Sequence, residues 1–209
     1  MAIININKDI KAIIERISKM CFDTEAILNF CMEGFMKHKM ESIDEAKKLS
    51  QAIHEEENEL MNVLSDKGVQ SDADKDMIKS LMAVIGNVEM AITGIDDVLR
   101  HVQVKVNEGI LFSDKGVSEI GHLFRETIDV LTVAGDTILT KNEILKNHIL
   151  DKCANINRTV DIYSEEHEER LIKGLCQPQS STLYLSIVNS LTKVIWHTKQ
   201  AIDRFFMSK

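Results

Sequence analysis

The chain has 209 residues, 5% aromatic side chains, ten methionines, a single proline and a formal net charge of −8. So few prolines and aromatics argue against a β-sandwich or barrel and for helices throughout. Lys and Arg are interleaved with Asp and Glu, which leaves no basic stripe to displace counterions from nucleic-acid phosphates.

In chain order, Asn7 or Asp9 is placed to cap a first helix whose positions Ile10, Ile14, Ile17, Cys21, Thr24, Leu28, Cys31 and Phe35 step by three and four, to an end near Lys39. Ser42 followed by Glu45 is a capping-box pattern for a second helix, with Ala46, Leu49, Ile53, Leu60 and Val63 inward and Gly68 beyond its end. Ser71 with Asp74 repeats the signal, opening a third helix through Met77, Ile78, Leu81, Ile85, Val88, Ile92, Ile95, Leu99 and Val102. Asn107 to Ser113, with Gly109 inside it, reads as a linker.

The remainder of the chain reads as a second copy. Placing each residue beside the one 110 positions later sets Ile10 against Ile120, Leu28 against Ile138, His38 against His148, Glu59 against Glu169 and Val84-Ile85 against Val194-Ile195 without a gap. A slip of one residue turns a helix face by about 100 degrees, so stripes that stay in register are what a duplicated helical unit requires. The expectation is an all-α chain of six helices, arranged as two tandem antiparallel three-helix bundles at 1–106 and 113–209.

The last hairpin is the most informative stretch. Ile156, Val160, Tyr163, His167 and Leu171 form one stripe and Leu183, Ile187, Leu191, Val194, Ile195 and Ile202 another, with Gly174 between them where the chain leaves a helix. His167, Arg170, Leu171, Gly174 and Cys176, then a Ser/Leu segment and a helix reaching Leu191 and His197, resemble the closing portion of PhoU-type domains. The version at the cytoplasmic end of bacterial sodium/phosphate cotransporters is the nearest likeness. The resemblance implies the same two bundles of three helices.

It also implies a metal-binding motif, Leu-Glu-Arg-Ile-Gly-Asp-His on the third helix of each half, in which two acids four residues apart share a helical face and collect iron, zinc or similar cations. Matched at Leu191, this chain carries Thr192 and Trp196 in place of the two acids and keeps His197. The first half offers Met82 and Gly86, or Ala83 and Asn87 after a shift by one. None of these is a charged ligand, so no cofactor is expected there. A divalent or ferric cation would have to use the second-helix acids Glu55, Glu56 and Glu59, or Glu165, Glu166 and Glu169, with His167; the competing reading is a solvated helix face. The single Glu-x-x-His, Glu119 to His122, falls short of the two pairs and two further glutamates of a di-iron bundle.

There is no P-loop or GxSxG motif, and Ser180 and Ser181 read as helix caps. Cys21, Cys31, Cys153 and Cys176 lack zinc-ligand spacing, and three of them sit on or beside apolar stripes, where a reduced thiol acts as a small hydrophobe. MAIININKDIK has no leader-like apolar core, and no run of about 20 uncharged apolar residues suggests a membrane span, so the expected place is the cytoplasm.

What the resemblance implies is a non-enzymatic adaptor of phosphate or other anion uptake, acting on a membrane phosphate transporter or an associated sensor kinase. The surface expected to meet that partner is Met82 and Gly86 with Trp196 and His197, and a homodimer is compatible with the Met-rich faces. The alternatives are a metal-binding helical protein using the second-helix glutamates, and a structural helical dimer in an unrelated pathway.

Overall fold

A computed structural model describes residues 6–65 and 72–207. They form six helices, α1 (Ile6–Lys37), α2 (Met40–Ser65), α3 (Asp72–Asn107), α4 (Asp114–Thr140), α5 (Glu143–Ile172) and α6 (Pro178–Met207). The apolar stripes fold as their spacing requires. Ile17, Cys21, Leu28, Cys31 and Phe35 of α1, Leu81, Ile85, Ile92, Ile95 and Val102 of α3, and Leu183, Ile187, Leu191, Val194 and Ile202 of α6 are all buried. The Cys21 thiol is pushed up to about 12 and that of Cys153 to about 11 by burial, so both behave as apolar filler.

The contacts define the layout. α2 packs on α1 and α3, α5 packs on α4 and α6, and α1 meets α4 while α3 meets α6 along the most extensive pairing of the fold. α1 and α4 run antiparallel: Ser18 Oγ donates to the Gly135 carbonyl at 2.8 Å, and Met36 lies beside Gly121. One eighteen-residue window within Lys75–Asn107 reaches a mean hydropathy of 1.4, long and apolar enough by composition to cross a bilayer, although Lys79 and Glu89 interrupt it and it holds no run of about 20 uncharged residues. In this fold that helix packs against α1, α2 and α6.

Glycine closes two helices as their positions suggested. Gly109 (φ 63°) and Gly174 (φ 69°) take the left-handed conformation. After α3 the Gly109 amide donates to the Val106 carbonyl and that of Ile110 to Lys105; after α5 the Gly174 amide donates to Leu171 and that of Leu175 to Arg170. Both are Schellman closures, which satisfy the orphan carbonyls of a helix end.

The hydroxyl caps differ from the sequence reading. Asn7 and Asp9 already lie within α1, so neither is its cap. Ser42 lies inside α2, buried, and donates to Glu33 Oε2 at 2.6 Å; together with Lys37 and Lys39 it holds the Glu33 carboxyl down to about 2. Ser180 and Ser181 sit in the first turn of α6 and both donate to the Gln177 carbonyl, while Pro178 takes the opening position that tolerates a missing N–H. Gly68, Ser71 and the side chain of Asp74 fall outside the described residues. Leu171, expected inward, is 38% exposed, because the buried edge of α5 ends with His167.

Among the described residues Lys105 is the one buried lysine, 2% exposed, with its ammonium over the Phe35 and Phe112 rings and donating to the Phe35 carbonyl at 2.9 Å. Desolvation lowers it from 10.5 to about 8. The unfolded chain therefore binds the extra proton between those values, and stability gained from this group is complete above 10.5 and lost as pH falls through about 8. Urea unfolding of the wild type and Lys105→Met should show a difference that changes by up to about 3 kcal/mol across that window, in the sense of the wild type gaining as pH rises.

Candidate functional site

Two places in the fold concentrate chemistry, and both involve α6. The first is the seam between α3 and α6. Ser80 Oγ donates to the Arg204 carbonyl, Lys193 Nζ lies 3.4 Å from Asp97 Oδ2, and Gln179 Nε2 donates to Glu108 Oε2, so the helices run antiparallel. They pack tightly at Gly94, where an added Cβ would lie 2.9 Å from Val194 Cγ2 and 3.5 Å from the Ser190 carbonyl.

This register puts Gly86 level with about residues 198–202, so Trp196 lies within roughly 3–9 Å of it along the axes at 1.5 Å per residue. Met82 lies one turn from Gly86, Met90 is 38% exposed, and a Cβ added at Gly86 would meet nothing within 4 Å. Trp196 is 53% exposed and packs edge-on against His197, centroids 4.6 Å apart. The His197 ring is lowered by burial and by Lys193, against a smaller opposing pull from Glu89, and its Nδ1 is buried without a hydrogen-bond partner. At the other positions aligned with the acid motif, Thr192 donates to the Val188 carbonyl and Asn87 to the Ala83 carbonyl.

The second place is a buried ionic cluster joining α4, α5 and α6. Glu119, 2% exposed, receives Arg170 in a fork, Nη1 to Oε1 at 3.0 Å and Nη2 to Oε2 at 2.6 Å, and Tyr184 Oη donates to Oε2 at 2.7 Å. His167 stacks on Tyr184 with centroids 4.1 Å apart, its Nδ1 3.4 Å from Arg170 Nη2. Burial and the adjacent Arg170 lower His167, and burial with the Glu119 hydrogen bond raises Tyr184. Each ionic group is met by a counter-charge, the condition on which buried charges persist. Arg170 was visible in the sequence as part of the resemblance, but nothing there joined it to Glu119 or Tyr184. Glu119 and His122 face different partners, since His122 Nδ1 pairs with Tyr163 Oη at 3.1 Å.

The candidate metal ligands are dispersed. Arg16 holds both Glu56 (2.6 Å) and Glu59 (3.1 Å), Gln51 donates to Glu55, Lys115 holds Glu166 (3.1 Å), and Lys173 holds Glu169 (3.0 Å); Glu165 is exposed. His167 is engaged with Tyr184 and Arg170 in the ionic cluster. Among the described residues no three His, Cys, Asp or Glu side chains converge as a metal site. A cleft of about 310 Å³ on α2 and α3 holds a group the sequence did not flag, in which Ser50 and His54 both bond Asp96. Ser50 donates to the carboxylate rather than to the imidazole, so this is not the hydroxyl–base arrangement of an activated serine.

Comparison with known proteins gives a fold likeness. No family model matches the chain, and no curated protein sequence matches it. The crystal structure of PhoU from Pseudomonas aeruginosa superposes with a TM-score of 0.82 over 97% of both chains at 14% sequence identity. The chain therefore has the PhoU-like fold, all-α with six helices.

Proposed function

We propose that the chain is a non-enzymatic adaptor of phosphate or another anion's uptake, working on the cytoplasmic side by binding a membrane transporter or its sensor kinase. In this reading the halves 1–106 and 113–209 are related units, and the outer face of their α3 and α6 helices, around Met82, Gly86, Trp196 and His197, is the binding surface. The PhoU-like fold supports the class. The observation that carries the surface is Trp196, a large aromatic left 53% exposed beside the central seam where it contributes little to the core. The metal-binding alternative is weakened by the lysines and arginines already paired with Glu56, Glu59, Glu166 and Glu169.

Trp196→Ala tests the surface. Its unfolding free energy should stay within about 0.5 kcal/mol of wild type, since the side chain is half exposed. Its affinity for the purified transporter or kinase should fall by roughly 30-fold or more, the effect of losing an aromatic hot spot. Unchanged affinity in a folded variant contradicts this surface.

A further inference from the structure

The corner between α1 and α2 is closed by a pair of nitrogens. α1 ends at Lys37, and His38 comes next with φ 54°, a left-handed conformation that a residue with a Cβ adopts at some cost. Lys105 reaches from α3 into this corner, where its Nζ meets His38 Nε2 at 2.6 Å while also donating to the Phe35 carbonyl. The Phe35 ring stacks with Phe112 of the segment between α3 and α4, centroids 5.6 Å apart, and contacts Phe124 of α4.

At that separation a single proton lies between the two nitrogens. The ammonium donates and the neutral imidazole accepts at Nε2. The neighbouring charges do not offset a second cation. From α1, Glu33 is taken by Lys37, Lys39 and Ser42; from α2, Glu41 is exposed; from α4, Arg125 is exposed beside Gly121. Phe112 and Phe124 bring no charge.

We propose that His38 and Lys105 form an acid-opened latch. A proton taken from solvent at His38 Nε2 turns the acceptor into a donor, removes the hydrogen bond and sets two cations in contact. The α1–α2 corner then separates from α3 and from Phe112 while the six-helix core stays folded. Burial and the facing Lys105 both lower the His38 ring, so the latch is closed at neutral pH and opens on mild acidification.

Hydrogen exchange of the full chain, corrected for intrinsic rates, tests it at about pH 7.5 and about pH 5.5. Exchange in residues 35–42 should rise roughly tenfold at the lower pH with the helical circular dichroism unchanged, and His38→Asn, which tolerates the left-handed backbone and cannot take the proton, should abolish the rise. In the wild type, His38 ring resonances should titrate over the same pH range as the exchange. A rise of the same size in His38→Asn, no rise in the wild type, or a His38 titration that does not track the exchange would overturn the latch.

Discussion

Glu119→Ala should lower the unfolding free energy by about 3–5 kcal/mol, because it removes one partner of a buried pair. Arg170, 14% exposed at its side chain, would keep its charge with the fork empty, and the Tyr184 hydroxyl would lose its acceptor. For about 200 residues a loss of that size lowers Tm by roughly 10 °C. The cost resides in the stranded charge more than in the bond itself, so Glu119→Leu combined with Arg170→Met should be clearly less damaging than the sum of the single changes. Chemical denaturation of the wild type, Glu119→Ala, Glu119→Leu, Arg170→Met and the double variant decides this. A single-variant loss under about 1 kcal/mol would mean that water reaches the cluster and screens it.

Gly94→Val and Gly86→Ala should move stability in opposite directions although both glycines lie on α3. At Gly94 a Cβ would stand 2.9 Å from Val194 Cγ2, with the α6 backbone at 3.4 and 3.5 Å, so a branched side chain must spread the seam between the halves. Overpacking of that kind costs about 1–3 kcal/mol, and the backbone neighbours put Gly94→Val at the upper end. At Gly86 the added methyl meets nothing within 4 Å. Gly86→Ala should then gain up to about 1 kcal/mol through helix propensity alone. Thermal unfolding of both variants gives the comparison, and a destabilised Gly86→Ala with a neutral Gly94→Val would place the seam elsewhere.

The sequence carried the helices because each one writes its buried face as a period of three and four, and it carried the endings at Gly109 and Gly174 because a left-handed closure favours glycine. Hydroxyl caps were less readable. Ser42, Ser180 and Ser181 have the composition of caps, but a serine inside a helix can as readily donate to a nearby carbonyl or to a glutamate, and spacing does not separate these outcomes. The ionic cluster was out of reach for a different reason. Glu119 and Arg170 lie 51 residues apart, and their meeting depends on how α4 and α5 pack, which a stripe on either helix does not encode. The same holds for Lys105, which looks in the sequence like one more surface lysine near a helix end. Trp196 was legible as a position, through its alignment with the motif, and the structure adds its exposure and its contact with His197.

The proposed adaptor role stands on one face of the molecule, and a photoreactive side chain can ask whether that face is used. Placed at Trp196 in the native host, grown with and without phosphate, it should crosslink to a subunit of a phosphate or related anion transporter or its sensor kinase, whereas the same group at exposed Asn155 on α5 should not. Crosslinking to such a subunit from Asn155 but not from Trp196, or from neither, would contradict the account.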